Sequence, residues 1–223
     1  MNRSENIMKT NIQIVLVAAL GAAAIGSVRA APVDDTVSQL QHRWEEVKYG
    51  APAPEQEKRF AGLAAEAGQA LARFPDRAEV LIWHGIIVAS YAGAKGGLGA
   101  LGLAKDARKD FETALKIDPQ ALSGSAYTSL GSLYYQVPGW PIGFGDDKKA
   151  VEYLKQGLAI NPAGIDANYF YGDYLFRNKD YAGAEQYLRK ALQAPPRPGR
   201  KLADEGRRRE IEALLEKIAA QRK

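Results

Sequence analysis

Three times along this chain the same punctuation returns: a small residue, four others, then proline. Ala114 stands five residues before Pro119, Gly157 five before Pro162, and Ala191 five before Pro196. Seven residues ahead of each small residue is an alanine (Ala107, Ala150, Ala184), and between the two lies a large apolar residue (Phe111, Leu154, Leu188). Upstream, a glycine follows His84, Leu130 and Tyr171, giving Gly85, Gly131 and Gly172. Helical spacing with a breaker at a fixed offset and a glycine on the partner helix describes a repeated helix-turn-helix unit. The glycine lets the two helices of a pair approach closely. Proline cannot continue a helix, and it drives the residue before it out of the helical region. One pair cannot bury both its faces, so neighbouring pairs must stack. That selects an all-α fold and favours a binding surface over an active-site cleft.

The periodicity predicts helices over 34–48, 55–74, 78–92, 104–117, 124–137, 147–160, 166–177, 181–194 and 202–221, with no strand pattern between them. In the first of these, Val37, Leu40, Trp44 and Val47 recur at three and four on one face. Residues 49–54 (YGAPAP) read as a turn. In the last helix, Leu202, Ile211, Leu214, Leu215 and Ile218 fit a cap on the open end of the stack. Arg207, Arg208, Arg209, Glu212, Glu216 and Lys217 are then expected to face water.

At these positions the pattern resembles the tetratricopeptide repeat (TPR), a helix-turn-helix unit of 34 residues. The fourth unit matches best: Asn168, Tyr171, Gly172 and Leu175, then Ala184, Leu188, Ala191 and Pro196, with 34 residues from Pro162 to Pro196. The first is degenerate, keeping Leu63, Ala67, Ala70 and Pro75. The resemblance implies a right-handed solenoid of about four helix pairs over 31–196 with a C-terminal capping helix in 197–223. It implies function weakly, because such folds serve unrelated partners. In size, address and repeat type the chain is also similar to the periplasmic T component associated with some TRAP transporters.

Two departures stand out. Pro75 to Pro119 is 44 residues and Pro119 to Pro162 is 43, and the surplus falls between the two helices of a pair. The first insertion, 93–102 (GAKGGLGALG), reads as a flexible hairpin. It lacks the Gly-Lys-Ser/Thr and preceding strand of a phosphate loop. The second, 137–146 (VPGWPIGFGD), is stiff and aromatic, with Asp146 placed to cap the next helix. Trp140 and Phe144 either fold back and seal that edge or form a hydrophobic lip for a ligand. Stacking would set the two insertions side by side, on the face where repeat proteins often carry function.

Little here suggests reaction chemistry. The chain has no Cys and two His, His42 and His84, so neither metal-ligand spacing nor a nucleophilic triad stands out. The sequence points away from an enzyme, a metal and a cofactor. The resemblance implies an inner helix face beside each glycine: Thr128, Ser132, Tyr135 and Gln136 in the third unit, and Tyr169, Asp173, Phe176 and Arg177 in the fourth. Mixed polar and aromatic side chains suit an extended peptide, offering hydrogen bonds to its backbone and flat surfaces for its side chains.

Residues 1–30 read as a signal peptide. Arg3 and Lys9 precede an apolar run over 14–25, and Val28-Arg29-Ala30 supplies small residues at −3 and −1. The rival, an uncleaved anchor, meets a run short of the roughly 20 residues a span needs. With Arg3, Lys9, Arg29 and Glu5 removed, 30 basic and 26 acidic residues become 27 and 25, and net charge falls from +4 to +2. That balance does not argue for nucleic acid. The sequence therefore predicts an exported, periplasmic interaction module that binds a peptide or partner subunit in its concave groove. The alternative is a small-molecule-binding accessory of a transport system that uses the two insertions. Self-association stays open.

Overall fold

The structure, a computed structural model, describes residues 33–221. The signal peptide read over 1–30 lies outside the described residues. Within them the chain forms α1 (Val33–Glu45), a π-helical turn (Glu46–Gly50), α2 (Ala53–Arg73), α3 (Ala78–Lys95), α4 (Ala100–Ile117), α5 (Ala121–Gln136), α6 (Asp147–Ile160), α7 (Ile165–Arg177), α8 (Tyr181–Leu192) and α9 (Lys201–Gln221). No helix among them is long and apolar enough to cross a membrane. The pairs α3/α4, α5/α6 and α7/α8 follow a first unit made of α1, the π-turn and α2. Helices α1, α3, α5 and α7 neighbour one another along the stack.

The repeated residues make the same contact three times. A Cβ on Gly85 would lie 2.6 Å from the Phe111 ring, one on Gly131 2.7 Å from Leu154 Cγ, and one on Gly172 2.9 Å from Leu188 Cγ. The glycine of the first helix thus receives the large apolar residue of the second. Phe111, Leu154 and Leu188 are all fully buried, as are Ala107, Ala150 and Ala184 one turn earlier. The proline junctions also repeat. The residue before each proline leaves the helical region, while its N–H still reaches the small residue four back: Phe74 to Ala70 O, Asp118 to Ala114 O, Asn161 to Gly157 O. The last junction differs because Pro195 precedes Pro196. Helix α8 accordingly stops at Leu192, two residues short of the expected end.

Three further segments differ from the sequence reading. The segment 93–102 is not a hairpin: α3 runs on to Lys95 and α4 begins at Ala100, leaving only 96–99 as loop. Gly93 and Gly102 meet open space, so each costs about 1 kcal/mol of helix propensity and nothing in packing. Helix α5 starts with Leu122, Ser123 and Gly124 in the left-handed region (φ 48°, 56° and 74°). Residues 49–50 belong to the π-turn rather than to a YGAPAP turn. The 137–146 segment is a true loop, with a Gly139–Gly145 bridge and a cis Trp140–Pro141 peptide. Asp146 ends it as expected, accepting from the Lys148 and Lys149 N–H groups at 2.9 and 3.1 Å.

Candidate partner-binding groove

Four of the eight proposed groove residues, two from α5 and two from α7, join in one network. Tyr135 donates its hydroxyl to Asp173 Oδ2 at 2.7 Å, Arg177 Nε donates to the same oxygen at 3.1 Å, and Gln136 Nε2 donates to the Tyr135 hydroxyl at 3.3 Å. The Arg177 guanidinium also sits 5.2 Å from the Tyr135 ring centroid. Burial and the neighbouring Asp173 carboxylate push the Tyr135 hydroxyl well above the ordinary phenol range, so it stays a donor. Arg177 and Gln136 remain solvent-accessible at the mouth of this strip. Ser132 returns its hydroxyl to the Ser129 carbonyl, and Phe176 turns towards Tyr181 in the α7/α8 core.

Thr128 and Tyr169 correct the expectation. Thr128 is 6 % exposed and lies over Gly157, whose missing side chain leaves room for it; it belongs to the α5/α6 contact, not to the groove surface. Tyr169 does face inward, but α9 covers it. The Arg207 guanidinium stacks 4.2 Å over its ring and 4.8 Å over Phe170. Burial pushes the Tyr169 hydroxyl up to about 12, against the pull of Arg207.

That covering helix is the main departure from the sequence reading. Arg207 does not face water: it is 7 % exposed and donates to Asp166 Oδ1 at 2.8 Å and Glu210 Oε2 at 2.6 Å. Arg208 is half-buried and donates to the Leu192 and Ala194 carbonyls, which closes the end of α8. Only Arg209 of the three is exposed. Burial tends to raise the Asp166 carboxyl, but the Arg207 and Arg197 guanidiniums override it and hold the group at about 2. Helix α9 also does more than cap the last pair. Arg200 donates to Glu45 Oε2 at 3.2 Å, His42 Nε2 lies 2.9 Å from the Gly199 carbonyl, and Tyr49 donates to Glu210 at 3.3 Å. The helix therefore joins the last pair to the first across the inner face. One sequence signal pointed there: Gly206, inside a helix of otherwise good formers. A Cβ on it would overlap the Tyr49 ring.

The lip is half what was expected. Phe144 folds inward, edge-on to Tyr134 at 5.6 Å and beneath the Arg108 guanidinium at 4.4 Å. Trp140 is 90 % exposed. The loop does touch the other insertion, since Gly143 lies against Leu101 of α4. Clefts occur between α1 and α2 and between α8 and α9, neither at these loops. His84, at its repeat position, pairs Nδ1 with Asp110 Oδ2 at 2.6 Å.

With three identical glycine-to-apolar contacts and three identical proline junctions in place, comparison with known proteins agrees with the geometry. Residues 144–198 match the family model described as tetratricopeptide repeat. The fold is that of a tetratricopeptide-repeat solenoid. A crystal structure of a thermophilic TPR protein from Thermus thermophilus is similar with a TM-score of 0.58 at 19 % identity, over 84 % of this chain and 82 % of that one. A crystal structure of MamA is similar with a TM-score of 0.43 at 20 % identity, over 75 % of this chain and 91 % of that one. No curated protein matches. At such identity the TPR likeness speaks for the fold alone.

Proposed function

We propose that this protein is an exported, non-catalytic interaction module that holds a peptide or partner subunit against the inner face of α5 and α7. The observation that carries this reading is the Tyr135–Asp173–Arg177 network. It is preorganised, amphipathic and open to solvent at Arg177 and Gln136. A fixed carboxylate, a guanidinium and a phenol ring on adjacent helices can bind backbone amides and flat side chains without first ordering themselves. Export rests on the sequence of residues 1–30. The transport-accessory alternative has less support, because the first insertion is mostly helix and the second tucks Phe144 away.

The test is an affinity capture from periplasmic extract with the tagged 31–223 form, beside a Gln136→Ala/Arg177→Ala variant. Both side chains reach solvent, so the fold should survive. One protein captured by the wild type and lost in the variant supports the groove. Equal capture by both, or capture by neither, overturns it.

A further inference from the structure

Helix α9 has two chemically different halves. Its C-terminal half is an ordinary cap: Ile211, Leu214 and Ile218 are buried with Leu188 and Ala191 of α8. In its N-terminal half and lead-in, the apolar contribution is Ala203, which joins the cluster of the first unit. The rest is mostly charge. Arg197 reaches Asp166 at 2.6 Å and Asp204 at 2.7 Å, Arg200 reaches Glu45, and Arg207 reaches Asp166 and Glu210. Arginines 200 and 207 also cover rings, Trp83 at 5.1 Å and Tyr169 at 4.2 Å.

The two halves respond differently to their surroundings. Apolar burial is a one-way gain, whereas ion pairs taken out of water return much of their attraction as desolvation cost. The polar half is thus the part whose release costs least, provided another cation takes its place. Leaving Asp166 and Glu45 uncovered and unpaired on a half-closed surface would be the expensive outcome.

We propose that residues 197–210 form a releasable latch over a receptor surface, and that the partner this surface takes is a helix with one arginine just ahead of its first residue, a second seven positions later, and small residues at the positions matching Ala203 and Gly206. The resident helix is the template. Arg200 stands immediately ahead of α9, its carbonyl accepting from the Asp204 N–H, and Arg207 follows seven positions later with Ala203 and Gly206 between them. Glu45 receives the first arginine, which lies over Trp83, and Asp166 receives the second, which lies over Tyr169 and Phe170. Tyr49 fits against the missing side chain of Gly206, so a large residue at that position is excluded. Negative charge over aromatic floor, with one guanidinium taken from the residue ahead of the helix and the other from its second turn, selects a basic helix of this register. The proposal rests on the reading of the protein as an interaction module, but it concerns the α9 face rather than the Gln136/Arg177 mouth. The tethered latch holds an effective concentration of the order of millimolar, so a free helix competes poorly until the latch is loosened.

The experiment uses the 31–223 chain and a fluorescent peptide of residues 197–210 as probe. Gly206→Leu in the chain should unseat the latch against Tyr49 and leave the receptor unchanged. Peptide binding to this variant should then be at least about tenfold tighter than to wild type, in line with removal of an intramolecular competitor. Arg200→Ala/Arg207→Ala in the chain is the second opener, for use if the leucine disturbs folding. Replacing the two arginines by alanine in the peptide should abolish binding to either. Equal binding to wild type and both openers, no binding to either, binding that survives loss of the peptide arginines, or loss of helicity in both openers would overturn the proposal. The last result would make the segment part of the core.

Discussion

Gly131→Ala tests the repeat contact most directly. The added methyl would lie 2.7 Å from Leu154 Cγ, 2.9 Å from the Leu154 backbone nitrogen and 3.1 Å from the Ala150 carbonyl. The side-chain atom belongs to a residue only 1 % exposed, and the other two are backbone of α6, so relief requires the helices to part. Alanine is favoured over glycine inside a helix by about 1 kcal/mol. Overpacking costs about 1–3 kcal/mol, and contact with backbone argues for the upper part of that range. The balance is a net loss of about 1–2 kcal/mol, or roughly 2–8 °C in melting temperature for a chain of this size. Gly62 in α2 is the control, since nothing lies within 4 Å of its Cβ position. There the same swap should gain about 0.5–1 kcal/mol and raise the melting temperature by about 1–4 °C. Far-UV circular dichroism melts of both variants decide it. If Gly131→Ala melts at or above wild type, the close-approach account of the repeat glycines is wrong.

Further outcomes follow from single contacts. Asp146→Ala removes the α6 N-cap and should cost about 1 kcal/mol in urea titration, where Asp147→Ala, with no cap bond, should cost less. Leu188→Ala, in a site with no exposure, should cost about 2–5 kcal/mol by the same assay. Trp140→Phe should leave stability within about 0.5 kcal/mol and remove the most quenchable tryptophan fluorescence, because Trp44 and Trp83 are buried. Asp166 titrates lower in the folded chain than in the unfolded one, so its contribution is complete above the unfolded value near 4 and fades as pH falls towards 2. A shift of this size would equal about 2.5 kcal/mol, but the side chain is 36 % exposed, and screening reduces the expected loss to about 1 kcal/mol. Urea midpoints at pH 6 and pH 3 for wild type and Asp166→Asn check it: the variant should show the smaller drop.

Helix α6 was legible in sequence to the residue, since Asp146 announces its start and Asn161-Pro162 its end. Glycine content misled at 93–102, because whether a helical glycine is harmful depends on what its face meets, and there it meets solvent. The inner strip at Tyr135, Gln136, Asp173 and Arg177 follows from the repeat register. The position of α9 does not. The partners of Arg200 and Arg207 lie 155 and 41 residues away, so no local pattern separates a buried arginine of this kind from a solvated one. Only Gly206 marked the approach of another surface.

The contacts of α9 and its lead-in with the first unit alter what kind of object the solenoid is. An open array behaves as a line, in which each unit feels only its neighbours and end units fray independently. Here His42 meets Gly199, Glu45 meets Arg200 and Tyr49 meets Glu210, across 157, 155 and 161 positions of sequence. The line has become a ring. While residues 197–210 are seated, damage in the first unit is felt in the last and the reverse, and unfolding is shared. Closing it late in folding carries a loop-entropy cost that an open array avoids. It also freezes the count of repeats. Adding or removing one helix pair would carry Arg200 away from Glu45 and Glu210 away from Tyr49, and so break the closure.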